Sequence, residues 1–185
     1  MKKISRVTAF CLFATLLMFF MQPPVFAASK TTIDKKVELA LQNLAEYAPA
    51  SREVAKKAKG ILVFPDIIKG GLIVGGQYGE GALVINKKIV GYYNTVAASY
   101  GLQIGAQSFG FAMFFMTDTA LQYLKRSSGW EVGVGPTIVV IDKGAAKSLT
   151  TSTGKADIYA FFFSQKGLMA GLGLQGSKIT QIHPK

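Results

Sequence analysis

The chain has 185 residues, half of them hydrophobic, with 21 Lys and Arg against 10 Asp and Glu and a formal charge of +11. One histidine and one cysteine exclude a Cys/His zinc cluster. The basic excess points to anionic partners, with solubility alone as the bland alternative.

Lys2, Lys3 and Arg6 precede an apolar run from Ala9 to Met21, then Pro23, Pro24 and the small-residue site Val25-Phe26-Ala27. This pattern predicts a secretory signal peptide over residues 1–27, cleaved after Ala27. The run is shorter than the roughly 20 residues of a spanning helix, which weighs against an uncleaved anchor. Cys11 has no small-residue lipobox before it. The expected mature chain is one domain over 28–185, helical over 31–59 and β-rich over 60–182. Removing Lys2, Lys3 and Arg6 leaves 18 of the 21 basic residues against 10 acidic ones. That chain contains no cysteine although its expected compartment is oxidising, so its stability rests on a packed core. The expected location is periplasmic or extracellular, peripheral on the envelope membrane.

Ile33, Val37, Leu41, Leu44 and Ala48 recur at spacings of four and three and predict a helix face. Thr31 with Asp34 resembles a cap, Pro49 ends the helix, and Ser51 caps a second, short one closed by Gly60. Lys35 and Lys36 lie on the first helix; Arg52, Lys56, Lys57 and Lys59 crowd the second. An amphipathic segment of this kind can pack its stripe on a sheet and present its lysines to an anionic membrane surface.

From Ile61 onward the residues are apolar, β-branched and punctuated by glycine, which predicts strands. They fall at Ile61–Phe64, Leu72–Tyr78, Ala82–Ile85, Ile89–Tyr93, Ser99–Gln107, Phe109–Phe115, Trp130–Val134, Thr137–Ile141, Ile158–Ser164, Leu168–Gln175 and Lys178–Ile182. Pro65-Asp66 reads as a bend, Asn86-Lys87-Lys88 as a hairpin turn and Gln165-Lys166-Gly167 as another turn. Thr117-Asp118 caps a short helix from Thr119 to Arg126, and 142–155 is a loop.

Glycine recurs as Gly71-Leu72-x-x-Gly75, Gly101-Leu102-x-x-Gly105, Gly129-Trp130-x-x-Gly133 and Gly167-Leu168-x-x-Gly171. Glycine inside a strand implies strong curvature or, alternatively, a ligand approaching the backbone. Phe161-Phe162-Phe163 puts aromatics on both faces of one strand, so both faces are covered or one meets lipid or a partner. The fold class expected is α+β: a curved, mainly antiparallel, glycine-rich sheet, barrel- or sandwich-like, covered by N-terminal helices, with one short helix midway.

Chemistry is sparse. His183 reads as a surface residue, and Gly75-Gly76-Gln77-Tyr78-Gly79-Glu80-Gly81 lacks the Lys-Ser/Thr and the following helix of a phosphate cradle. Glu80, Asp118, Glu131 and Asp157 are acids at turns or beside glycine, where capping is the default role over paired-carboxylate catalysis.

Ala58-Lys59-Gly60-Ile61-Leu62-Val63-Phe64-Pro65 and Gly71-Leu72-Ile73-Val74-Gly75-Gly76-Gln77-Tyr78-Gly79-Glu80-Gly81 resemble the opening signature of the SYLF (Ysc84) domain family. Ser99 to Gln107 and Gly167 to Ile179 are similar to its middle and closing motifs. The resemblance implies a non-catalytic, cofactor-free binding domain. Eukaryotic members bind phosphoinositides, some bind actin filaments, and bacterial members are exported envelope proteins. It implies lipid binding, so an anionic phospholipid or membrane surface is the expected partner; the crowding of cations on the two N-terminal helices makes Lys35, Lys36, Arg52, Lys56, Lys57 and Lys59 the expected headgroup contacts. A filament or other envelope protein is the second partner reading, and no nucleic acid or metal is expected.

Overall fold

A computed structural model describes residues 28–71, 74–100, 105–141, 156–167 and 176–185. The expected leader, the loop at 142–155 and the strand at 168–175 lie outside them.

Helix α1 (Lys30–Tyr47) buries Ile33, Val37, Ala40 and Leu44. Ala40 takes the central place expected for Leu41, which is only half-buried. The cap is also two residues earlier than expected, at Ser29 instead of Thr31. Ser29 accepts from the Thr32 amide at 3.3 Å, while Asp34 accepts from the Tyr92 hydroxyl at 2.9 Å instead of capping. Helix α2 (Ala50–Lys57) starts at Pro49 without a side-chain cap; Ser51 is buried inside it. Proline suits that place because its fixed φ matches the helix and its missing N–H would be unpaired there anyway.

Strands β1 (Gly60–Gly71), β2 (Val74–Ile85), β3 (Lys88–Tyr100) and β4 (Gly105–Phe115) are long and antiparallel. Pro65-Asp66 does not bend the chain out of the sheet. It forms a bulge at which the register of β1 shifts against both neighbours. The bulge tolerates proline because two residues on one strand face one on the next, so a ladder N–H is not required. Gly79 and Gly81 lie opposite. A methyl on Gly79 would sit 2.7 Å from Ile67, and one on Gly81 would overlap the Val63 carbonyl oxygen. These two glycines make room for the bulge. The hairpin at Asn86-Lys87 has positive φ at both residues, +50° and +63°, as a two-residue turn between twisted strands demands.

Helix α3 (Asp118–Arg126) is capped by Thr117, as expected, and buries Ala120, Leu121 and Leu124. Strands β5 (Trp130–Glu131), β6 (Ile138–Ile141), β7 (Ile158–Gly167) and β8 (Lys178–Ile182) complete the described sheet. Gln165 to Gly167, expected as a turn, continue β7: Lys166 pairs with Ser108 and Gly167 with Gln107. The irregularity sits at Ser164, with φ +52°, beside a register shift.

The strand order is β5-β8-β3-β2-β1-β4-β7-β6, with only the β6–β7 pair parallel. The sheet curls into a half-barrel, so the fold is α+β and mostly antiparallel, with the helices mainly N-terminal. One face carries α1: its stripe packs on Val63, Ala82, Ala112, Phe114, Phe161 and Phe163. The other holds Phe64, Ile67, Phe109, Phe111, Met113 and Phe115 with α3 and Trp130. Phe161 and Phe163 join the first layer and Phe162 the second, so both faces of β7 are covered. Each fully buried Ile, Leu or Phe contributes about 1.5–3 kcal/mol, which is how a cysteine-free chain is held.

Candidate functional site

All six expected headgroup contacts are exposed. Their surroundings divide them. Lys35 and Lys36 lie in the second turn of α1. Arg52, Lys56 and Lys57 lie on α2, and Lys59 follows it at the start of β1, where its amide donates to the Phe115 oxygen at 2.7 Å. Within the second group, Lys56 pairs with Glu53 at 2.6 Å and Lys59 with Asp118 at 3.5 Å. The Lys56 hydrogen bond, then its charge, holds the Glu53 carboxyl below the ordinary range. Lys35, Lys36, Arg52 and Lys57 have no ion pair among the described residues.

Lys36 faces a feature that sequence reasoning missed. Register carries one row across six strands: Lys178 opposite Val96, Val96 opposite Tyr78, Tyr78 opposite Ile68, Ile68 opposite Ser108, Ser108 opposite Lys166. Directly opposed residues point to the same face of a sheet. Lys36, Ile68 and Tyr78 line one shallow groove, and Lys36, Ser108 and Lys166 line the next, so this is the face that carries α1. At about 4.8 Å per strand the row spans about 24 Å. Its centre is apolar and in solvent: Ile68 is 60% exposed, Val96 45% and Tyr78 41%. Both ends are exposed lysines. Leu39, 58% exposed, borders the second groove. By contrast Ile33 and Val37 are fully packed against the sheet and are core residues.

The α2 group lies at the far end of the sheet. Gly60 and Ile68 stand eight residue steps apart along β1, about 26 Å of strand. No sequence signal marks the row: its members are separated by as much as 110 positions, and only the strand order brings them together.

The acids have structural partners. Glu80 accepts from the Ala28 amide at 3.0 Å and from the Tyr78 hydroxyl at 2.6 Å. Burial, then the hydrogen bond and charge of Glu80, push the Tyr78 phenol up to about 12. Asp157 accepts from the Thr137 amide at 3.0 Å and hydroxyl at 2.8 Å, and from Thr117 at 3.3 Å. The two Thr137 bonds, with Thr117 adding to them, hold its carboxyl below the ordinary range. Glu131 is exposed, and no group of three potential metal ligands gathers among the described residues.

The curved sheet thus presents a lysine-ended apolar row beside exposed helix cations. Residues 96–183 match the family model Ysc84, described as Las17-binding protein actin regulator. Those residues, just under half of the chain, are similar to the Ysc84 (SYLF) family, a family of binding domains. The match begins inside β3, so the opening motifs around Gly60 and Gly75, and every expected headgroup lysine, precede it. No curated protein matches the chain.

Proposed function

We propose that this protein is exported by cleavage after Ala27 and binds anionic phospholipid at the cell envelope without catalysis. The observation that carries this reading is the row Lys178–Val96–Tyr78–Ile68–Ser108–Lys166 beside Lys36. Exposed apolar side chains between cations suit the boundary between headgroups and acyl chains. The lysines meet phosphate and the apolar centre enters the bilayer surface. Lys35 and Lys36 extend the cationic surface. Arg52, Lys56, Lys57 and Lys59 form a second group, with Lys56 and Lys59 partly neutralised by their acids.

Sedimentation with vesicles of phosphatidylcholine, with and without phosphatidylglycerol, tests the reading. Binding should require the anionic lipid and weaken with salt, because exposed charges are screened beyond about 8–10 Å at physiological ionic strength. Reversing Lys35 and Lys36 should weaken it more than reversing Lys56 and Lys59. Binding indifferent to lipid charge and salt overturns the proposal. The family description, an actin regulator, favours a second reading in which the partner is a filament protein. Saturable protein binding that vesicles do not compete supports that reading.

A further inference from the structure

Glu80 reaches from the sheet to the chain just before α1, at Ala28. It stands on β2, on the face that carries α1, and its two carboxylate oxygens are shared between the Tyr78 hydroxyl and the backbone nitrogen of Ala28, at 2.6 and 3.0 Å. Ala28 is also the residue that follows Val25-Phe26-Ala27. From these two facts we infer that Glu80 is the binding site for the free α-ammonium group of Ala28, created when the Ala27–Ala28 peptide bond is cleaved. The inference rests on the export reading above and is independent of the lipid reading.

The step is a hydrolysis by a signal-peptidase-type protease. Water adds its hydroxyl to the Ala27 carbonyl, the C–N bond breaks, and the Ala28 nitrogen takes the proton. At neutral pH that amine binds a further proton, since an α-amino group titrates near 7.7–8.0. An amide N–H bound to a carboxylate thereby becomes an ammonium–carboxylate pair at the same atoms, the stronger, charge-assisted kind of hydrogen bond.

The location gives the pair a task. Ala28 directly precedes Ser29, the N-cap of α1, and the first turn of that helix contains no acid. The N-terminal end of a helix carries partial positive charge, so an uncompensated ammonium there opposes the helix. Glu80 supplies from the sheet the anion that α1 lacks. The charged and titratable groups around this groove are Lys36, Asp66, Tyr78 and Glu80. Lys36 adds positive charge, which makes an anion at this place more necessary. The Lys30 amide, bonded to the Lys185 oxygen at 3.0 Å, holds the next residues in place, so the Ala28 nitrogen is presented to Glu80 by a fixed backbone.

The test uses the full chain, expressed in an exporting host and purified from the exported fraction. Mass spectrometry of the N-terminal peptide reads the first residue. Competitive acetylation across pH then reads the midpoint of its α-amine. The expected result is an N-terminus at Ala28 whose midpoint stands about one unit above that of the Glu80→Gln variant, the size of shift a partly exposed opposite charge produces. Tyr78→Phe keeps the carboxylate and should keep the elevated midpoint. Inserting two glycines between Ala27 and Ala28 moves the amine away from Glu80 and should remove the elevation while far-UV circular dichroism stays unchanged. An N-terminus other than Ala28 overturns both the export reading and this one. An N-terminus at Ala28 with the same midpoint in wild type and Glu80→Gln overturns this inference alone.

Discussion

Ile68 separates a membrane-inserting surface from a merely cationic one. Complete burial of an isoleucine side chain contributes about 1.5–3 kcal/mol. Ile68 is 60% exposed, so moving the exposed part from water into the acyl boundary is worth about 1–2 kcal/mol. At 1.4 kcal/mol per tenfold, Ile68→Ser should weaken vesicle binding by about 5- to 30-fold. The buried remainder costs the fold only about 1 kcal/mol, so the variant should stay folded by circular dichroism. The two lysines at the ends of the row behave differently. Each contributes roughly 1 kcal/mol close to an anionic surface, so Lys166→Gln or Lys178→Gln should weaken binding about fivefold at low salt. Titrating phosphatidylglycerol vesicles at low and high salt distinguishes the two effects. The lysine effect should fade as salt rises, and the Ile68 effect should persist, because apolar transfer is not screened. If Ile68→Ser and Val96→Ser bind like wild type at both salts while lysine variants fail, the row does not enter the bilayer.

Further predictions concern the scaffold. Gly81→Ala forces a methyl onto the Val63 carbonyl opposite the β1 bulge and should cost about 3 kcal/mol, lowering the melting temperature by about 10 °C; an unchanged melting temperature would mean that the bulge is not rigid. Ser29→Ala removes the cap of α1 and should cost about 1 kcal/mol in urea unfolding. Thr95 is fully buried and its hydroxyl has no hydrogen-bond partner among the described residues; Thr95→Val should therefore be neutral or stabilising by about 1 kcal/mol, and a clear loss in urea midpoint would refute this. Asp157 titrates below its unfolded value, about 3.9, because Thr137 and then Thr117 bond its charged form. Its stabilisation is full above about pH 5 and is lost as pH falls through the lowered folded midpoint, so the stability gap between wild type and Asp157→Asn should narrow below about pH 4, and a constant gap would contradict the assignment.

Periodic features were legible in the sequence and accommodated features were not. The α1 stripe followed from spacings of three and four, and Asn86-Lys87 and Thr117 followed from local turn and cap chemistry. The cap of α1 was misplaced because Thr31-Thr32 and Ser29 all offer hydroxyls within one turn, and packing against the sheet, with Asp34 taken by Tyr92, selects Ser29. Pro65-Asp66 read as a bend because proline opposes ladder bonding. What keeps the strand going is the absence of side chains at Gly79 and Gly81, residues on a different strand. The turn expected at Gln165-Lys166-Gly167 failed for a similar reason: positive φ occurs at Ser164 and again at Gly167, φ +105°, without breaking the pairing, and a methyl on Gly167 would also meet the Ala106 carbonyl. Of the candidate site, the helix lysines were visible as a charge run. The apolar row was not, because Ile68, Tyr78 and Val96 are ordinary strand residues until register aligns them.

The strand order also determines which part of the chain can act as a unit. The family match runs from 96 to 183, yet β1 and β2 lie before it and stand between β3 and β4 in the sheet. Taken alone, the matched residues would keep only the end of β3 from Val96 onward, would leave β4 without β1 beside it and would expose Phe109, Phe111 and Phe115 where Phe64 and Leu62 now pack. The row is interleaved in the same way: Val96, Ser108, Lys166 and Lys178 come from the matched region, Ile68 and Tyr78 from the strands before it. Neither part can present the surface without the other. The residues that carry the family likeness and the residues that carry the N-terminal cations therefore form one structural unit, in which α1 is seated on a face whose centre both parts build.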